Sequence, residues 1–319
     1  MINNNLDTIF QEAQMSISRP VRFWLFLILA IPSIYCSFLL LFHLFVDKKL
    51  RSQLSNHIII ILLIIGLIVE FIDIPFHLTF LETGIVQPST PAFCLTWLFF
   101  DIALYNGCTI IMAWGSIHRY LLIFHNQLFR TTNNRLLLHY LPLFILSVYI
   151  VIFYGIVIIF PPCVNTYDYS LPVCNNFPCY LDDPVLGFWD PVVNSIVPTI
   201  IITVSSISVL IRIYYQKRRL NQINLWRKQR KMTIQLLSIC ILYLATNIPL
   251  NAVIFAHICG LPDEYGAQLQ GYADYFCYFV TLLFPFVCLG ILSELRKRIQ
   301  WKGVLLFRRI QHTGLINPQ

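Results

Sequence analysis

The stretch Cys94–Phe124, CLTWLFFDIALYNGCTIIMAWGSIHRYLLIF, decides how the chain is read. It is long and apolar, yet it carries Cys94, Asp101 and Arg119. If it is one helix, the 25 residues from Cys94 to Arg119 span about 37 Å at about 1.5 Å per residue, against a hydrocarbon layer about 30 Å thick. The spacing therefore predicts a membrane span with the cysteine at one edge and the arginine at the other. Asp101 and Arg119 lie 18 residues apart, five helical turns, so they share a face with Tyr105, Cys108 and Met112. Ionisable groups within a span are costly and turn to a bundle interior or a wet cavity, so that face is expected to look into protein rather than lipid.

The rest of the chain repeats this pattern. The sequence is 57% apolar, 15% aromatic and only 12% charged, with a mean hydropathy of +0.70, whereas soluble domains carry about 25% charged residues. Apolar runs occupy Phe23–Val46, His57–Phe80, Phe93–Phe124, Leu136–Phe160, Val185–Tyr214, Thr233–Ile258 and Gly271–Leu292, each long enough to cross. The expected fold is an all-α integral membrane protein: a tail over 1–22, a seven-helix bundle over 23–298 and a basic tail over 299–319. SELRKRIQW after the seventh span reads as a short amphipathic helix lying on the membrane surface. Of the 22 lysines and arginines, only Arg19 and Arg22 fall on the amino-terminal side; the other 20 lie in the alternate loops and the carboxyl tail. The positive-inside rule then predicts a multi-pass membrane protein with an outer amino terminus and an inner carboxyl terminus. The net charge of +7 describes that inner rim, not a nucleic-acid surface.

Several residues along the chain carry chemistry. Glu70, Asp73 and His77 stand at i, i+3 and i+7 on the second helix, which reads either as a self-satisfying hydrogen-bond cluster or as a ligand or ion site. Asp190 and Asn194 stand at i, i+4 near the outer end of the fifth, with Pro198 a turn deeper; Asn247, Pro249 and Asn251 mark the sixth; Asp274, Tyr278 and Pro285 mark the seventh. The longest outer loop holds Cys163, Cys174 and Cys179, and Cys94 supplies a fourth cysteine in an oxidising environment, which permits three pairings. No cofactor or metal is expected: the eight histidines are scattered without metal-ligand spacing, and no lysine lies in a helix core to carry a retinal Schiff base. That scatter also speaks against an enzyme. The absence of an internal repeat speaks against transporters built of duplicated halves.

With these residues in place the chain resembles the rhodopsin-like G-protein-coupled receptors over roughly residues 23–298. In that family an outer cysteine and an inner Asp-Arg-Tyr arginine on the third helix are spaced as Cys94 and Arg119 are here, within His118-Arg119-Tyr120. Pro75, Pro198, Pro249 and Pro285 match the family's helix prolines, and Leu50-Arg51 and Asn56 resemble its first inner loop. Departures are equally specific. The first-helix Asn is Ser37, the sodium-site Asp is Gly66, and the fourth-helix Trp is missing. Cys-Trp-x-Pro reads Thr246-Asn247-Ile248-Pro249, and Asn-Pro-x-x-Tyr reads Phe284-Pro285-Phe286-Val287-Cys288. The family's sodium control and its tryptophan and tyrosine switches are therefore not carried over.

The resemblance implies an extracellular ligand bound within the bundle and a heterotrimeric G protein engaged at the inner face. It implies that Cys94 pairs with Cys174 or Cys179, leaving Cys163 to the other. Asp101 stands where amine receptors of the family hold their ammonium, and Tyr278 matches the tyrosine that supports it. Asp101, Tyr105, Glu70, Asp73, Asp190, Asn194, Asn251, Asp274 and Tyr278 form the candidate ligand set, with a cationic small molecule or basic peptide as its ligand. At the inner face the family's arginine is held by two acids; here His118 and Gln229 stand in their places, so Arg119 lacks both restraints unless Gln229 and Tyr120 hydrogen-bond it instead. The reading from another class is a cation channel or transporter using the acidic set.

Overall fold

The computed structural model describes residues 17–175, 177–219, 223–262 and 265–291, with the side chains of 49, 123, 126, 213, 214, 216–236, 267 and 291 outside that description. The expected amphipathic segment after the seventh span and the Gln229 side chain thus lie outside the described residues.

Among the described residues, seven helices are long and apolar enough to cross a membrane: α1 (Arg19–Val46), α2 (Leu54–Thr83), α3 (Pro91–Phe124), α4 (Thr132–Ile159), α5 (Leu186–Arg212), α6 (Ile223–Ile258) and α7 (Ala267–Ile291). They pack as one bundle in which α3 touches α2, α4, α5 and α6, while α7 closes the ring between α6 and α1. The shared core runs through Leu40, Ile59, Leu63, Trp97, Ile111 and Tyr154. Trp24, Ile28, Ile31, Tyr35, Phe38 and Phe42, at alternating steps of three and four along α1, are exposed. That apolar stripe has no polar face to shield it from water, so it is the lipid surface of the helix.

Proline shapes three of the helices. A π-helical turn covers Val69–Asp73 just before Pro75, Leu136–Tyr140 just before Pro142, and Asp190–Ile196 just before Pro198. The proline ring would strike the carbonyl four residues back, and a widened turn at that place relieves the clash. In α6 the Asn247 amide donates to the Tyr243 carbonyl at 2.9 Å and Asn251 to the Asn247 carbonyl at 2.8 Å, bracketing Pro249.

The loop between α4 and α5 is tied at two points. Cys94 at the start of α3 is bonded to Cys174, and Cys163 to Cys179. The turn that brings Cys174 to α3 holds Val173, Cys174 and Asn175 at φ of 54°, 56° and 75°, a region that side-chain-bearing residues adopt only when their surroundings hold them there.

Candidate functional site

Near the Cys94 end of the bundle, α2, α3 and α7 bring together Asp73, His77, Asp101 and Tyr278. The Tyr278 hydroxyl donates to Asp101 and lies 2.7 Å from His77 Nε2, so the imidazole N–H donates to the phenol oxygen. Trp97 Nε1 donates to Asp73 Oδ1 at 2.8 Å, and that same oxygen is 3.7 Å from His77 Nε2. Asp274, one turn before Tyr278 on α7, lies close enough to Asp101 to feel its charge and has no hydrogen-bond partner among the described residues. Asp101, Asp274 and Tyr278 are half-buried, whereas Asp73 is 1% exposed. Among the described residues no lysine or arginine forms an ion pair with any of these carboxylates. Tyr105 borders the cluster and is already engaged, donating to Asn247 Oδ1 at 2.7 Å.

The remaining members of the expected ligand set lie elsewhere, and each is occupied. Glu70 does not share a stripe with Asp73, because the π-helical turn rotates it toward α1, where Ser33 donates to its carboxylate. Asp190 accepts from Tyr154 at 2.6 Å, from Tyr180 at 2.8 Å and from Asn194 at 2.7 Å. Three donors satisfy a carboxylate in a buried setting, so Asp190 and Asn194 form a structural knot between α4, α5 and the loop. Asn106 Nδ2 donates to the same Tyr154 oxygen at 2.7 Å. Burial, then the neighbouring Asp190, holds the Tyr180 phenol well above the ordinary tyrosine range, which keeps it a donor. Asn251 accepts from Ser195 at 2.9 Å and donates to Thr199 at 3.1 Å, joining α6 to α5.

The opposite end corrects the view that the histidines are scattered. His57 Nδ1 lies 3.0 Å from His139 Nε2, and His139 Nδ1 lies 3.0 Å from His118 Nε2, which links α2, α4 and α3 in one chain. His57 Nε2 faces the Arg51 carbonyl at 2.8 Å and must donate to it. For neutral rings the roles then follow in order: each Nε2 carries the hydrogen and each Nδ1 accepts. The last acceptor, His118 Nδ1, is buried and has no partner among the described residues. His118 therefore does not restrain Arg119. Neither does Tyr120, whose ring lies 5.0 Å from the Arg212 guanidinium. Arg119 is 6% exposed and stands beside the thiols of Cys240 and Cys288, and both its terminal nitrogens lack a hydrogen-bond partner among the described residues.

Sequence reasoning passed over Trp97, Tyr154 and Tyr180, which orient the acids. The one signal available was spacing, since Trp97 precedes Asp101 by one turn on the interior face of α3. In comparisons with known proteins, the family model described as 7 transmembrane receptor (rhodopsin family) matches residues 37–292. No curated protein matches the chain.

Proposed function

Because the chain belongs to the rhodopsin family of seven-transmembrane receptors, we propose that it is a plasma-membrane receptor with its amino terminus outside, which binds a cationic ligand at Asp101 and activates a heterotrimeric G protein through its Arg119 end. The observation that carries the ligand reading is charge. Asp73 and Asp274 each lie close enough to Asp101 to feel its charge, Asp101 and Asp274 are half-buried, and none of the three is paired with a lysine or arginine among the described residues. Gathering carboxylates in a low-dielectric region is unfavourable without a positive counterpart, and an ammonium or guanidinium between Asp101 and Asp274 supplies it. Tyr278 steadies the Asp101 carboxylate from α7, and the loop held by Cys94–Cys174 lies at the same end.

At the other end, a buried arginine whose terminal nitrogens have no partner among the described residues is poised for an acceptor presented from the cytoplasm. Nothing among the described residues has to be broken to release it, which supports appreciable signalling without ligand.

The test is a panel of biogenic amines and short basic peptides applied to cells expressing the chain, read as second-messenger output. Asp101→Asn should cut agonist potency by about 30-fold or more, since removing one partner of a desolvated charge pair costs about 2–5 kcal/mol, with surface expression unchanged. A potency that survives the substitution would contradict the reading.

A further inference from the structure

Beside the acidic cluster, the first turn of α1 carries the opposite charge. Arg19 and Arg22 stand there, and Arg19 is engaged, its guanidinium 6.0 Å from the centre of the Phe80 ring. Arg22 is half-buried, and its Nε is buried with no hydrogen-bond partner among the described residues. Phe26, one turn further along α1, fixes where that arginine stands. Its ring packs against Tyr275, Tyr278 and His77 with centres 5.0, 5.7 and 6.2 Å away. Residues four apart share a helix face, so Arg22 lies on the face that α1 turns to α2 and α7, and its charge is felt at both His77 and Tyr275.

Tyr275 supplies an independent observation. It is 6% exposed, and its hydroxyl is buried with no hydrogen-bond partner among the described residues. Buried polar groups are nearly always paired, yet here two neighbouring donors, from α1 and α7, are unfilled and do not bond each other. A carboxylate suits both. It has two acceptor oxygens and a negative charge, so one oxygen takes the Arg22 Nε–H, the other takes the Tyr275 O–H, and the guanidinium balances the charge. Asp274, which precedes Tyr275 on α7, lies instead within the influence of Asp101.

We propose that the ligand of this receptor is a zwitterion, its carboxylate held by Arg22 and Tyr275 while its positive group lies between Asp101 and Asp274. This ligand class rests on the cationic-ligand reading and narrows it. An amino acid, or a short basic peptide with a free carboxyl terminus, meets both ends of the site. A simple amine meets one.

The experiment is calorimetric titration of the full-length protein in lipid nanodiscs with matched pairs that differ only in the carboxylate: tyrosine and tyramine, histidine and histamine, and short basic peptides with free and amidated carboxyl termini. In at least one pair the acid should bind about tenfold more tightly or better, as expected for hydrogen bonds to a charged group. Arg22→Gln and Tyr275→Phe, the second of which keeps the ring that packs on Phe26, should each shrink that difference, while the carboxylate-free member keeps its affinity within about threefold. The comparison within a pair needs no variant. Amines and amidated peptides that bind as tightly as their acids overturn the proposal and leave the cationic-ligand reading standing. So does an acid preference that survives both variants, which would put the carboxylate elsewhere. Binding by neither member of any pair overturns this proposal and the cationic-ligand reading together.

Discussion

At the residue scale, identical chemistry has different consequences because the partners differ. Asp101 and Asp190 are both aspartates near the Cys94 end, and both belong to the ligand set expected from the sequence. In the structure Asp190 is enclosed by three donors, whereas Asp101 has Tyr278 and an unpaired neighbour in Asp274. Asp190→Asn should therefore act on stability. Hydrogen bonds to a charged group contribute about 1.5–3 kcal/mol each, so thermal unfolding of the purified protein should fall by at least one such contribution, while agonist potency in the folded fraction stays within about threefold. A large potency loss at unchanged stability would place Asp190 in the ligand site instead. Asp101 was legible because its distance from Cys94 is counted along one helix. The partners of Asp190 come from α4 and from a loop, and no count along a single segment reaches them.

At the element scale, local deviations from the α-helix decide which acids meet. Reading Glu70, Asp73 and His77 as one stripe assumed an unbroken helix, and the π-helical turn before Pro75 turns Glu70 away. The proline was visible in the sequence. Its effect on the helix upstream was not, because a proline can also be accommodated by a bend. The loop between α4 and α5 yields a prediction of its own. Cys94–Cys174 closes 80 residues and Cys163–Cys179 closes 16. On the chain-entropy account, losing the first should cost about 4–5 kcal/mol and losing the second about 3 kcal/mol. Paired serine substitutions compared by thermal unfolding should thus rank Cys94→Ser/Cys174→Ser below Cys163→Ser/Cys179→Ser. At the other end, the histidine chain fastens α2 and α4 to α3 just before Arg119. His139→Ala leaves His57 Nδ1 without its donor and His118 Nε2 without its acceptor, so it should destabilise the protein by about 1–3 kcal/mol; an unchanged unfolding temperature would show that the chain bears no load.

At the scale of the whole molecule, the bundle was readable from seven apolar runs and from the distribution of basic residues, since the number of spans depends only on segment length and hydropathy. Which helices would be neighbours, and hence that His57, His118 and His139 meet, depends on packing that composition does not encode. The charge asymmetry predicts that a carboxyl-terminal epitope tag is stained only after permeabilisation; staining of intact cells would invert the topology. The proposed receptor couples to a G protein through an arginine without an acidic lock. Basal second-messenger output, scaled to surface expression, tests it most directly. The account predicts output above that of mock-transfected cells, abolished by Arg119→Ala and reduced by Gln229→Glu, which restores an acid at the sixth-helix position. A silent wild type together with an unaltered Gln229→Glu would contradict it.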